Sequence, residues 1–149
     1  MSNETKLLEI AKQLIELNPT MAISGSLGLR LQLSKYRLRR DCKDLDMYLP
    51  YGEMLVKPDN WKIDASRDED RTHYDADTYS TDCFKIDGIS IDVFTPIEPE
   101  FNLYCTTIDE VPVVYFSDIL KMKIEHSFGK AWTKHKHKDD IIFLLSQIQ

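Results

Sequence analysis

Arg40-Asp41-Cys42-Lys43-Asp44-Leu45-Asp46-Met47-Tyr48-Leu49 is the stretch on which the reading of this chain turns. Leu45, Met47 and Leu49 alternate with Asp44, Asp46 and Tyr48, the period of a strand with one buried face. The same alternation sets Asp44 and Asp46 on one side of that strand. Two carboxylates at positions i and i+2 can share one or two divalent cations when further oxygen ligands join them. Asp-x-Asp is common in an acid-rich chain, and Asp75-Ala76-Asp77 is a second instance. Context separates the two, because Asp44 and Asp46 open an apolar strand whereas Asp75 and Asp77 lie in a polar stretch with no scaffold.

Working outward towards the N-terminus, Leu7, Leu8, Ala11, Leu14 and Ile15 fall at helical spacing over residues 4 to 17 and predict an amphipathic helix. Asn18-Pro19-Thr20 stops it, and Met21-Ala22-Ile23-Ser24 reads as a short buried strand leading into Gly25-Ser26. A Gly-Ser pair alone is an ordinary loop. Set between a strand and a helix, it presents backbone N–H groups and a hydroxyl to an anion above the turn, for which phosphate is the natural ligand. Leu27, Leu29, Leu31 and Leu33 alternate as a strand would, while Leu27 and Leu31 also suit a helix. The lack of β-branched residues from 27 to 40 favours the helix.

In the other direction, residues 64 to 82 are polar and acid-rich, with Asp68-Glu69-Asp70, and predict an exposed loop or hairpin arm. A hairpin follows, with Cys83-Phe84-Lys85-Ile86 and Ile89 to Phe94 flanking an Asp87-Gly88 turn. Asp92 alternates with Ile91 and Val93 and faces away from them. It either meets water on an edge strand or joins the other two carboxylates, where like charges and desolvation call for a cation. Val111 to Tyr115 predicts the last strand, and Ser117-Asp118 the cap of a helix running through Ile119, Leu120 and Ile124 towards Phe128. A final helix carries Ile141, Ile142, Leu144 and Leu145. The order predicts a single α+β domain over residues 1 to 149, a mixed β-sheet with helices packed on it and two C-terminal helices.

At 149 residues the chain is long enough for one core and too short for a separate substrate domain of ordinary size. Its formal net charge of -6 argues against a general nucleic-acid binder. Basic residues gather at Lys35 to Lys43 and Lys130 to Lys138, each of which also reads as a solvated face. Three widely spaced cysteines, Cys42, Cys83 and Cys105, suit neither a disulfide framework nor a CxxC metal site and read as free thiols. No run of eighteen apolar residues and no signal pattern at Met1 to Lys6 is found, so the expected location is cytoplasmic with no membrane partner. His135 and His137 point apart on a helix and lack further zinc ligands nearby.

Strand, Gly25-Ser26, helix, Asp44-Leu45-Asp46 and a later strand with Asp92 together resemble the nucleotidyltransferase superfamily related to DNA polymerase beta. The chain looks most like its short bacterial members: antibiotic nucleotidyltransferases of the lincosamide or aminoglycoside type, minimal nucleotidyltransferases and abortive-infection toxins. Arg40-Asp41-Cys42-Lys43-Asp44-Leu45-Asp46 is similar to their Arg-x-Thr-x-Asp-hydrophobic-Asp stretch, with Cys42 in place of Thr. Lys138-Asp139 is similar to their Lys-Asp pair. The chain departs from the pattern in the long segment from Ser26 to Asp44 and in Ile142, where an acidic residue is usual unless Asp140 takes its place.

The resemblance implies a nucleotidyltransferase fold and transfer of a nucleoside monophosphate from an NTP to an acceptor hydroxyl on a small molecule, RNA or protein. It implies two Mg2+ ions on Asp44, Asp46 and Asp92, with Asp92 also helping to deprotonate the acceptor. Gly25, Ser26 and Arg40 would meet the nucleotide, and Lys123 and Lys138 would neutralise the leaving pyrophosphate, although each lysine equally reads as an ordinary surface residue. A second class stays open: a non-catalytic module of the same fold that binds a partner protein or a second copy, as in a toxin–antitoxin pair. A metal nuclease using the same carboxylates is a third, which the acidic net charge disfavours.

Overall fold

Leu7, Ile10, Ala11 and Leu14 follow one another at intervals of three, one and three residues and are buried along one side of α1 (Asn3–Leu17) in the computed structural model. Residues 3–33, 42–64 and 78–127 are described, with Ile141, Ile142, Leu145 and Ser146 in helical conformation beyond them. The strands are β1 (Ala22–Ser24), β2 (Leu45–Tyr48), β3 (Tyr79–Ile86), β4 (Ile89–Pro96), β5 (Cys105–Ile108) and β6 (Val111–Val114). Two more helices are α2 (Gly25–Gln32) and α3 (Phe116–Ser127), and a 3-10 turn spans Pro99–Phe101.

The six strands form one mixed sheet in the order β3-β4-β2-β1-β6-β5. β2 runs parallel to β4 and β1 parallel to β6, while β1–β2, β3–β4 and β5–β6 are antiparallel. Ile23, Leu45, Met47, Ile91, Val93 and Val113 pack with α1 on one face. Ala22, Tyr48 and Val114 pack on the other with Leu29 of α2 and Ile119 and Leu120 of α3. The fold is thus α+β with helices on both faces, and Tyr48 is buried where a single buried face was expected for its strand. Its phenol explains how: Tyr48 donates to Asn102 Oδ1 and accepts from the Leu103 N–H, so the polar tip is satisfied under the following chain.

The segment from Gly25 is helical as far as Gln32, which settles the ambiguity of its alternating leucines for these residues; 34 to 41 lie outside the described residues. β3 begins at Tyr79, inside the stretch expected to be an exposed loop or hairpin arm: its end is a hairpin arm, and Tyr79 is buried rather than exposed because it sets its ring edge-on to Phe94. Residues 65 to 77 of that stretch, including Asp68 to Asp70, lie outside the described residues. Asp87 and Gly88 both hold positive φ, 52° and 79°, as the tight hairpin turn requires. β5 was not foreseen: its turn to β6 uses Asp109 and Glu110 at φ 48° and 68°, without a glycine to mark it. Nor is Ser117-Asp118 the cap of α3, which starts at Phe116, and Asp118 instead accepts the Tyr104 N–H at 2.6 Å. Ile142 and Leu145 are exposed, while Ile141 packs on the core.

Asn18 ends α1 and ties down the 51–57 stretch. Its Nδ2 donates to Leu14 O at 2.9 Å and to Val56 O at 2.7 Å, and its Oδ1 accepts the Val56 N–H at 2.8 Å. Asn18→Ala is expected to cost about 2 kcal/mol in urea unfolding, from the lost bonds and the stranded backbone groups. A loss within 0.5 kcal/mol, on the order of a surface substitution, would contradict this role.

Burial pushes the Tyr48 phenol above its ordinary value of 10.0, against a smaller opposing effect of the Leu103 N–H. The unfolded chain therefore gives up this proton first. Its contribution to stability is whole below pH 10 and falls as pH rises past that value. Tyr48→Phe is expected to flatten that alkaline decline in unfolding free energy measured from about pH 9 to 11, a range of about one unit either side of ordinary tyrosine titration.

Candidate functional site

β1 delivers the chain to Gly25, which sits at φ +61° at the first position of α2. No L side chain rests easily there. A Cβ built on Gly25 would also lie 2.2 Å from Asp46 Oδ2 and 2.8 Å from Asp46 Cβ. The glycine is thus required twice over, by its backbone and by the carboxylate against which it lies. Ser26, one residue on, is half-buried in the first turn of α2.

Strand register builds the rest. Ser24 is paired with Asp46 across β1–β2, Asp46 with Asp92 across β2–β4, and Asp92 with Cys83 across β3–β4. Paired residues share a face, so the four side chains form one row across the sheet. Neighbouring strands stand about 4.8 Å apart, which makes Asp46 and Asp92 immediate neighbours. Asp92 is 4% exposed, Asp46 half-buried and Asp44 exposed just ahead of β2. Asp92 thus lies inside the sheet rather than on an edge strand. Asp44 leads the same alternation but stands outside the strand's pairing.

The row lies on the face that α2 and α3 cover. Within α3, Ile119, Met122 and Lys123 are buried at 1%, 6% and 6% exposure and fall on one stripe, at i, i+3 and i+4. Met122 packs with Phe94, which is two residues along β4 from Asp92 and on the same face. Lys123 is therefore a buried lysine and not an ordinary surface one. Of the other residues expected to meet the nucleotide, Arg40 and Lys138 lie outside the described residues.

Hard carboxylate oxygens suit magnesium in kind. Among the described residues no group of three or more His, Cys, Asp or Glu side chains gathers as a metal-holding set, and within the row it is Asp46 and Asp92 that stand in register. Cys42 and Cys83 are buried and Cys105 exposed, and none of the three is in a disulfide. A cleft of about 480 Å³ opens at the far end of β3, lined by Thr78, Tyr79, Glu100, Asn102, Asp118 and Lys121 among others. No local pattern foreshadows this cleft, since its walls come from the 3-10 turn and the approach to β5. No helix among the described residues is long and apolar enough to cross a membrane. No known protein family, curated protein or solved structure matches this chain.

Gly25→Ala is expected to destabilise the protein by on the order of 2 to 3 kcal/mol, through strain at positive φ and the displaced Asp46 carboxylate. The check is chemical denaturation of Gly25→Ala alone and in an Asp46→Gly background, where removing the obstructing side chain should shrink the loss. An equal loss in both backgrounds would place the cost in the backbone alone.

Proposed function

We propose that this protein is a metal-dependent nucleotidyltransferase, which moves a nucleoside monophosphate from an NTP to an acceptor hydroxyl and releases pyrophosphate. The observation that carries the reading is the contact of a positive-φ Gly25, at a strand-to-helix turn, with the carboxylate of Asp46, which is itself in register with Asp92. A turn of this kind offers backbone N–H groups to phosphate, and the carboxylates stand beside it as the place for the phosphate's counter-cations.

In this reading the Gly25-Ser26 turn receives the β and γ phosphates through backbone amides and the Ser26 hydroxyl. Asp46 and Asp92, with Asp44 at the mouth, would hold magnesium, whose charge lowers the cost of bringing the phosphates and the acceptor oxygen together. Asp92 accepts the proton of the acceptor hydroxyl. That oxygen then bonds to the α-phosphorus as the bond to the bridging α–β oxygen breaks and pyrophosphate carries away the electron pair. Burial of this face under α2 and α3 keeps competing water from the phosphorus.

The exposed position of Asp44 and the lack of a gathered three-carboxylate set among the described residues favour a second reading, a non-catalytic module of similar shape that binds a partner protein. Labelled ATP, GTP, CTP and UTP, incubated with Mg2+ and a panel of hydroxylated small molecules, RNAs and proteins, separate the two. Transfer of label is expected, falling by on the order of 1,000-fold in Asp46→Asn and in Asp92→Asn while both remain folded. Undiminished transfer in both variants would refute the assignment, and no transfer from any nucleotide would favour the partner-binding module.

A further inference from the structure

Two carboxylates lie on one covered face of the sheet, and a buried ammonium lies on a helix that packs over that face. Asp92 is buried, Asp46 is its half-buried neighbour in register, and Lys123 is buried on α3, on the stripe it shares with Ile119 and Met122. A buried ammonium and a buried carboxylate each cost several kcal/mol unless they neutralise one another or meet a metal. Met122, adjacent to Lys123 in sequence, rests against Phe94, two residues from Asp92 on the same face of β4. Ile119, one helical turn before Lys123, sets its Cδ1 3.1 Å from where a Cβ on Gly28 of α2 would lie, so this stripe of α3 packs closely on α2 at one end and on β4 at Met122.

We infer that Lys123 is the built-in counter-ion of the Asp46–Asp92 pair, its ammonium standing in the metal-free protein where a divalent cation would otherwise be demanded. The consequence is a selective site. With its charge already offset, the carboxylate pair has little attraction for a bare cation. A cation arriving with an anion is different, because the anion can take over the ammonium and release the carboxylates to the metal. That consequence rests on the transfer reading and names a metal–polyphosphate as the class of ligand admitted. The pairing itself needs only the burial and the register.

The test measures thermal unfolding of the intact chain in EDTA and in millimolar MgCl2, with NaCl at matched ionic strength as control. Lys123→Met is expected to lower Tm in EDTA by about 10 °C, from a carboxylate pair left without its cation. Mg2+ should return at least half of that loss, while shifting the Tm of the unsubstituted protein by no more than about 2 °C. Lys123→Arg, which keeps the charge, should recover most of the stability without Mg2+. If Lys123→Met does not fold at all, the double variant Lys123→Met/Asp92→Asn decides, because removing both charges should restore folding. A loss in Lys123→Met that Mg2+ leaves unchanged, or a double variant no better than the single, would overturn the proposal. Neither readout involves a nucleotide, so the pairing can fail while transfer stands, and transfer can fail while the pairing stands.

Discussion

Two aspartates side by side on the covered face of a sheet set the constraint around which this molecule is arranged. Parallel pairing of β2 with β4 aligns Asp46 with Asp92, and antiparallel pairing of β1 with β2 brings Ser24, and so the Gly25 turn, against the same row. Shifting either pairing by one residue would turn the carboxylates into the core packed against α1 and expose Leu45, Met47, Ile91 and Val93. The apolar alternation therefore holds the charged row in place. Each aspartate is where it is because its neighbours cannot be anywhere else.

The same arrangement explains why the face is covered rather than open. α2 starts directly at the turn and α3 lies across the strands, tied to α2 by Gln32, which donates to Val114 O and accepts the Phe116 N–H. Arg30 of α2 meets Glu4 of α1 at 3.1 Å, so both helical layers are linked at one side of the sheet. Asp92 on the covered face is thereby largely dehydrated, which is the condition under which electrostatic interactions strengthen.

Much of this was legible in the residues. The period-two apolar residues of β2 and β4, the Asp87-Gly88 turn and the helical spacing of α1 are local signals, and each produced the element expected of it. The position of Gly25 between a strand and a helix is legible from its flanks, given that the leucines after it are helical. What the residues did not reveal was non-local. Tyr48 looked solvent-facing because the chain that satisfies its hydroxyl, Asn102 and Leu103, is more than fifty residues away. β5 was hidden because an Asp-Glu turn adopts positive φ without a glycine, and Tyr79 because its partner Phe94 lies on another strand. The burial of Lys123 likewise depends on which stripe of α3 meets the sheet, for which the tertiary fold and not the helix pattern is responsible.

The row from Ser24 to Asp92 gains its meaning only if it recognises a nucleotide and a metal together. Isothermal titration of the intact protein with ATP, once in excess Mg2+ and once in EDTA, asks this directly. The account predicts saturable binding with Mg2+ that weakens at least tenfold in EDTA, a difference of about 1.4 kcal/mol. Equal affinity in the two buffers, or no binding in either, would contradict it.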